Sequence, residues 1–192
     1  MSALWWVRHG PTHARGFTGW RDLPADLSDR AALARLDAAL PVAAPVVSSD
    51  LARAVATADA LAATRPRLPH EPRLRELHFG SWEGRSFAAI EAEDPALLRA
   101  FLEQPGEVSP PGGESWNALE ARVSAAADSL AARHDGGVLI VVAHHAVILT
   151  QLRRALGCSP ARILGQRIDC LSISVTEYRN GRWTAGRINH HP

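Results

Sequence analysis

Ala3-Leu4-Trp5-Trp6-Val7-Arg8-His9-Gly10-Pro11-Thr12 opens the chain with an unbroken apolar run that passes directly into a polar, glycine-containing turn. A run this short, continuous rather than alternating, reads as a strand covered on both faces, as in a parallel sheet. Two further runs, 45–47 and 138–142, have the same form, and each is followed by a turn and a helical pattern. After the second, Ser49 or Asp50 is positioned to cap a helix with Leu51, Val55, Ala58 and Leu61 on one face. Residues 114–133 carry Trp116, Leu119, Val123, Ala127 and Leu130 at helical spacing, and 147–156 reads as a helix ending at Gly157. Asn180-Gly181, between the segments 171–176 and 183–188, is a hairpin turn signal. Strands alternating with helices predict an α/β fold, a three-layer α/β/α sandwich with a mainly parallel sheet and an antiparallel edge strand supplied by the hairpin.

In open α/β sheets ligands bind outside the carboxyl ends of the strands. Here those ends carry Arg8 and His9, then Ser49-Asp50-Leu51-Ala52-Arg53, then His144 and His145. Any one of these is ordinarily a solvated arginine or a structural histidine; arginines and histidines gathered on one sheet edge point to an anion. A phosphate monoester carries close to two negative charges near neutral pH. Arginine offers it a planar fork of donors, and a helix N-terminus, such as the one Arg53 occupies, adds backbone N–H groups. A neutral imidazole, available at cellular pH, is able to attack phosphorus and form a phosphohistidine.

The bulk composition sets the frame. At 192 residues the chain is expected to be one domain, 1–192, with 46% hydrophobic and 21% charged residues that separate it from disordered sequences. A net charge of +1 gives no reason to expect a nucleic-acid partner. The longest clean apolar run, 138–143, is too short to cross a membrane. Cys158 and Cys170, the only cysteines, read as free thiols in a reducing compartment, and with no signal peptide in view a cytoplasmic location is expected. His190-His191 invites a metal reading but has no further ligand at useful spacing, so neither a metal nor a cofactor is expected. No oligomeric state is read from the sequence.

Five segments in order, Arg8-His9-Gly10 with Thr12, Ser49-Asp50-Leu51-Ala52-Arg53-Ala54, Leu74 to Gly84, Gly113-Glu114-Ser115 and Val142-Ala143-His144, resemble the histidine phosphatase superfamily, the phosphoglycerate-mutase-like group. The resemblance implies that His9 is the phosphorylated nucleophile, that Arg8 and Arg53 bind phosphate, and that His144 contacts the phosphate and stabilises transition-state charge. It further implies that Glu76 protonates the leaving oxygen and then helps activate water. Only the motif selects Glu76; Glu71, Glu83 and Glu91 are nearby competitors.

The chain departs from the pattern in two places. His145 stands where members often have glycine, as a further phosphate ligand or as a side chain turned away. Arg15 stands where many have asparagine. Thr12, Arg15, Thr18 and Gly19 are candidate substrate contacts, the last two through the backbone of a mutase-like loop at 17–22. The segment around Glu76 looks more like the phosphatase branch, including α-ribazole phosphatases, than like the mutases. The expected function is therefore metal-independent hydrolysis of small phosphate monoesters, with a phosphoglycerate mutase and a non-catalytic phospho-ligand binding protein as alternatives. Residues 86–114, rich in proline, are expected to form a cap over the site.

Overall fold

The computed structural model describes residues 1–134 and 136–192. Among these, five strands form one sheet in the order β2-β3-β1-β4-β5. β1 is Ser2–Arg8, β2 Val46–Ser48, β3 Val138–Ala143, β4 Ile173–Arg179 and β5 Arg182–Ala185. β3 pairs in parallel with both β1 and β2. β4 pairs antiparallel with β1 and with β5. The β4–β5 hairpin thus supplies the antiparallel edge expected of it, with β5 outermost and β4 between it and β1. The two-residue turn at Asn180 and Gly181 explains the placement. Both residues have positive φ, 52° and 77°, which returns the chain immediately alongside β4.

The continuous apolar runs are accounted for by helices on both faces. On one face α1 (Arg30–Ala39) and α2 (Ala52–Leu61) bury Leu36, Ala54, Ala58 and Leu61 against Val7, Val46, Ile140 and Val142. On the other, α5 (Trp116–Arg133) and α6 (His145–Leu156) bury Leu119, Val123, Ile148 and Leu152 against Leu4, Trp6, Leu139 and Val141. Alternate residues of the same strand serve opposite layers, and each fully buried aliphatic side chain contributes about 1.5–3 kcal/mol. Trp6, fully buried, satisfies its indole N–H on Thr176 Oγ1 at 2.9 Å. α3 (Phe87–Glu93) and α4 (Pro95–Glu103) fall in the segment expected to be a cap. They pack a small separate cluster of Trp82, Ile90 and Leu98. A short α7 (Pro160–Leu164) follows α6. No helix among the described residues is long and apolar enough to cross a membrane.

The start of α2 differs from the sequence reading. Neither Ser49 nor Asp50 caps it; Leu51 is the N-cap and makes no side-chain bond to the helix. Asp50 instead forms a two-bond pair with Arg75, at 2.8 and 2.5 Å. A carboxylate from a distant loop replaces it: Asp22 Oδ1 accepts the Ala52 N–H at 2.6 Å. This ties the 17–22 loop to the helix that carries Arg53.

Candidate active site

The site is assembled where β1 and β3 end side by side. The His9 N–H donates to the Ala143 carbonyl at 3.1 Å, so the residues following the two strands are held together. The His9 and His144 rings consequently meet edge to face, 5.0 Å between centroids. His9 is 6% exposed and His144 wholly buried.

The tautomer of His9 follows from its partners. Nδ1 lies 2.6 Å from the Gly10 carbonyl; a carbonyl only accepts, so Nδ1 carries the hydrogen and Nε2 the lone pair. Gly10 is itself fixed, its N–H donating to Thr57 Oγ1 at 3.0 Å. A Cβ there would lie 2.6 Å from Leu27 Cδ2, so a larger residue would have to displace the Leu27 side chain. The free lone pair faces Arg53, whose Nε donates to His9 Nε2 at 3.2 Å. Burial first, then the Arg53 and Arg8 guanidiniums, push the His9 imidazole down to about 3, against a raising contribution from the Gly10 carbonyl. His9 is therefore a neutral imidazole whose Nε2 lone pair accepts from Arg53. Burial and the neighbouring His9 likewise hold His144 well below the usual histidine range.

Arg53, in the first turn of α2, is 1% exposed, and its other two nitrogens donate to the carbonyls of Arg21 (2.9 Å) and Gly19 (2.6 Å). Burial lowers its pKa from the ordinary value, opposed by the Glu76, Asp22 and Glu83 carboxylates, and arginine remains charged regardless. Arg8 donates from Nη1 to the Ile168 carbonyl at 2.6 Å. Among the described residues, the buried side-chain nitrogens left without a partner are Arg8 Nε, both ring nitrogens of His144, and Arg153 Nε. Buried polar groups are ordinarily paired, and an orphan calls for an explanation. Three of these four belong to Arg8 and His144, the neighbours of His9, and Arg8 Nε with the one ring N–H of a neutral His144 are donors without an acceptor.

Glu76, 7% exposed, lies at the N-terminus of α6. Its carboxylate accepts the Leu77 N–H at 2.9 Å and the Ala146 N–H at 3.2 and 3.3 Å. The competing carboxylates are engaged elsewhere. Glu71 is paired with Arg73 at 2.7 Å, and Glu91 is exposed on α3. Glu83 accepts four backbone N–H groups, from Gly19 (3.0 Å), Trp20 (2.7 Å), Arg21 (3.4 Å) and Phe79 (3.1 Å). Glu83 thereby shapes the loop whose carbonyls hold Arg53.

The remaining candidates separate from this cluster. Gly19 spends its N–H on Glu83 and its carbonyl on Arg53, so its backbone positions the arginine; a Cβ there would lie 2.0 Å from the Leu77 carbonyl. Thr18 and Thr12 are half-buried, with side-chain bonds only to Gly16 and Ala14. Arg15 is exposed and, among the described residues, has no side-chain hydrogen bond. His145, the first residue of α6, borders an apolar cavity. His191 pairs with Asp169 at 2.9 Å. Two residues escaped the sequence reading. Asp22 docks the loop on α2, and Arg122 on α5 donates to the carbonyls of Arg73, Arg75 and Glu76 at 2.7–2.9 Å while paired with Glu114. Nothing local in the sequence marks either, because the backbone groups they hold lie 30 or more residues away.

Two neutral buried imidazoles have a consequence for stability. Below 6.5 the unfolded chain protonates His9, whereas the folded chain does so only near 3. Between these values the unfolded state binds more protons, so stability rises with pH, is complete above 6.5, and is lost as pH falls. From pH 7 to pH 5, His9 alone is expected to cost about 2 kcal/mol. Urea unfolding in phosphate-free buffer checks this. His9→Asn should flatten the pH dependence by about that amount, and parallel curves for the two proteins would refute it.

The sequence profile of the histidine phosphatase superfamily (branch 1) matches residues 4–191. A bifunctional protein of Mycobacterium tuberculosis is 36% identical over 76% of this chain and 40% of its own length. A metal-independent phosphoserine phosphatase of Arabidopsis thaliana is 34% identical over 74% of this chain and 59% of its own. A probable phosphoglycerate mutase of Proteus mirabilis is 29% identical over 99% and 95%. Among solved structures, YhfR of Bacillus stearothermophilus superposes with a TM-score of 0.87 at 26% identity, covering 98% of this chain and 97% of that one. The chain spans less than half the length of the mycobacterial relative it matches.

Proposed function

Because this chain belongs to the histidine phosphatase superfamily, branch 1, we propose that it hydrolyses small phosphate monoesters through a phosphohistidine on His9, without a metal ion. The observation that carries the reading is the set of unpartnered buried nitrogens of Arg8 and His144 beside the His9 Nε2 lone pair, which faces Arg53. Arg8, Arg53 and His144 hold the phosphoryl oxygens, with the helix N-terminus of α2 behind Arg53. His9 Nε2 attacks phosphorus as the ester P–O bond breaks. Glu76 gives its proton to the departing oxygen, releasing the alcohol. The Glu76 carboxylate then takes a proton from water as the water oxygen attacks the phosphohistidine, which releases inorganic phosphate and restores neutral His9. The cationic pocket supplies the charge stabilisation on which phosphoryl transfer mainly depends, and a positioned acid adds about 10²–10⁴-fold. His144, held neutral by burial, contributes a ring N–H as a donor. Its neighbour His145 is a further candidate ligand of the phosphate or of the leaving group. The α3–α4 segment covers the mouth as a cap on a single domain. With both cysteines as free thiols, the reducing cytoplasm is the proposed location.

The test is release of inorganic phosphate from p-nitrophenyl phosphate in the presence of a metal chelator, with glycerate added as a competing acceptor. Turnover that resists the chelator and delivers the phosphoryl group to water supports the hydrolase. Transfer to glycerate instead selects the mutase, and phosphate-ester binding without turnover selects the binding protein.

A further inference from the structure

Beside Glu76 lies a cavity of about 300 Å³, walled by Phe17, Leu77, Phe79, Phe101, Trp116 and Leu149. No Lys, Arg, Asp or Glu side chain lines it among the described residues; His145 is its one titratable side chain. Burial, and to a lesser degree Arg8, lower His145 below the ordinary histidine value against the opposing pull of Glu76 and Asp169. The cavity adjoins the catalytic cluster through the residues that hold Glu76. The N–H groups that hold the Glu76 carboxylate belong to Leu77 and Ala146, whose side chains line the cavity. Phe17 adjoins the loop that holds Arg53, and Phe101 comes from α4.

Resting on the hydrolase reading above, we infer that the preferred substrates are phosphate esters with an apolar leaving group, aryl or alkyl, seated in this cavity. The geometry of the step leads to this class. The bridging oxygen has to reach Glu76 to be protonated, so the carbon it carries lies on the Glu76 side of the phosphoryl group, the side on which the cavity lies. The volume suits a one- or two-ring aromatic or a short alkyl chain. An amino acid or hydroxy acid ester would place a carboxylate, and in the former case an ammonium, against phenylalanine and leucine with nothing to pair them. Burying an unpaired charge is strongly unfavourable. The phosphate pocket offers no relief, because its arginines are occupied by the transferring group.

The test compares alcohol esters of similar intrinsic reactivity, so that leaving-group chemistry does not set the order. Benzyl phosphate is expected to exceed O-phosphoserine and 3-phosphoglycerate in kcat/KM by about 100-fold, and to exceed ethyl phosphate by about 10-fold through burial of the ring. Leu164, 36% exposed at the rim, can be changed without opening the core. Leu164→Glu should lower the benzyl-to-ethyl ratio about tenfold. Phosphoserine or 3-phosphoglycerate turned over as well as benzyl phosphate, or a ratio unmoved by Leu164→Glu, overturns the inference while leaving the hydrolase intact. Absence of turnover with every ester overturns the hydrolase. In that case calorimetry decides the cavity separately: benzyl phosphate binding no tighter than inorganic phosphate refutes it, and tighter binding sustains it.

Discussion

His9→Ala is expected to reduce kcat/KM for p-nitrophenyl phosphate by about 10⁴-fold or more, with inorganic phosphate still bound. The size follows from what the substitution removes. Arg8, Arg53 and His144 remain to bind the dianion, so affinity persists, but the nucleophile's lone pair is gone. His9 Nε2 is that lone pair, because Nδ1 spends its hydrogen on the Gly10 carbonyl. The substitution also strips Arg53 Nε of its acceptor, a loss of about 1–3 kcal/mol for a buried charged donor. His9→Asn, which can offer an oxygen to Arg53, controls for this and should be equally inactive. In the native protein, intact mass spectrometry at neutral to alkaline pH during turnover should find one phosphoryl adduct, absent from both variants. Activity within tenfold of the native level in either variant would remove His9 from the nucleophile's role.

The sheet core and the clustering of His9, Arg53 and His144 were legible in the sequence for a common reason. Their determinants are contiguous: an apolar run specifies a strand buried on both faces, and the residues that follow it are at the ligand-binding edge whatever the rest of the chain does. His9, Arg53 and His144 needed no knowledge of tertiary contacts. The α2 cap failed because it is not local. Asp50 has the residue type and position of an N-cap, but a bidentate pair with Arg75 outcompetes it, and Asp22 takes its place from 30 residues away. The hairpin was found from Asn180-Gly181, yet its place in the sheet depends on which edge of β1 is free, and no local signal encodes that. Glu83 and Glu76 were indistinguishable by residue type. The structure separates them by their partners, four loop N–H groups for Glu83 against the N-terminus of α6 for Glu76. The 86–114 segment was least readable because its helices pack a satellite cluster, and their apolar residues serve both that cluster and the cavity wall.

Glu76→Gln separates the two chemical steps, and its effect should depend on the leaving group. Glutamine keeps an oxygen to accept the Leu77 and Ala146 N–H groups, so the local fold and the helix terminus are preserved while the transferable proton is removed. An alkyl ester must expel a strongly basic alkoxide, and without an acid that step is expected to slow by about 10²–10⁴-fold. p-Nitrophenolate leaves unprotonated, so phosphorylation of His9 by p-nitrophenyl phosphate should change little. The second step still needs a base to take the proton from water. Phosphoenzyme should therefore accumulate, seen as a burst of nitrophenol equal to the enzyme concentration followed by slow turnover, and as a persistent adduct by mass. Alkyl and aryl esters losing activity equally, with no burst, would deny Glu76 the acid's role. Glu83 could not inherit it without releasing the loop that holds Arg53, which leaves His145 as the titratable side chain to test next. The burst therefore reports on both assignments together: it requires a nucleophile that is still competent at His9 and a proton carrier that is missing at Glu76.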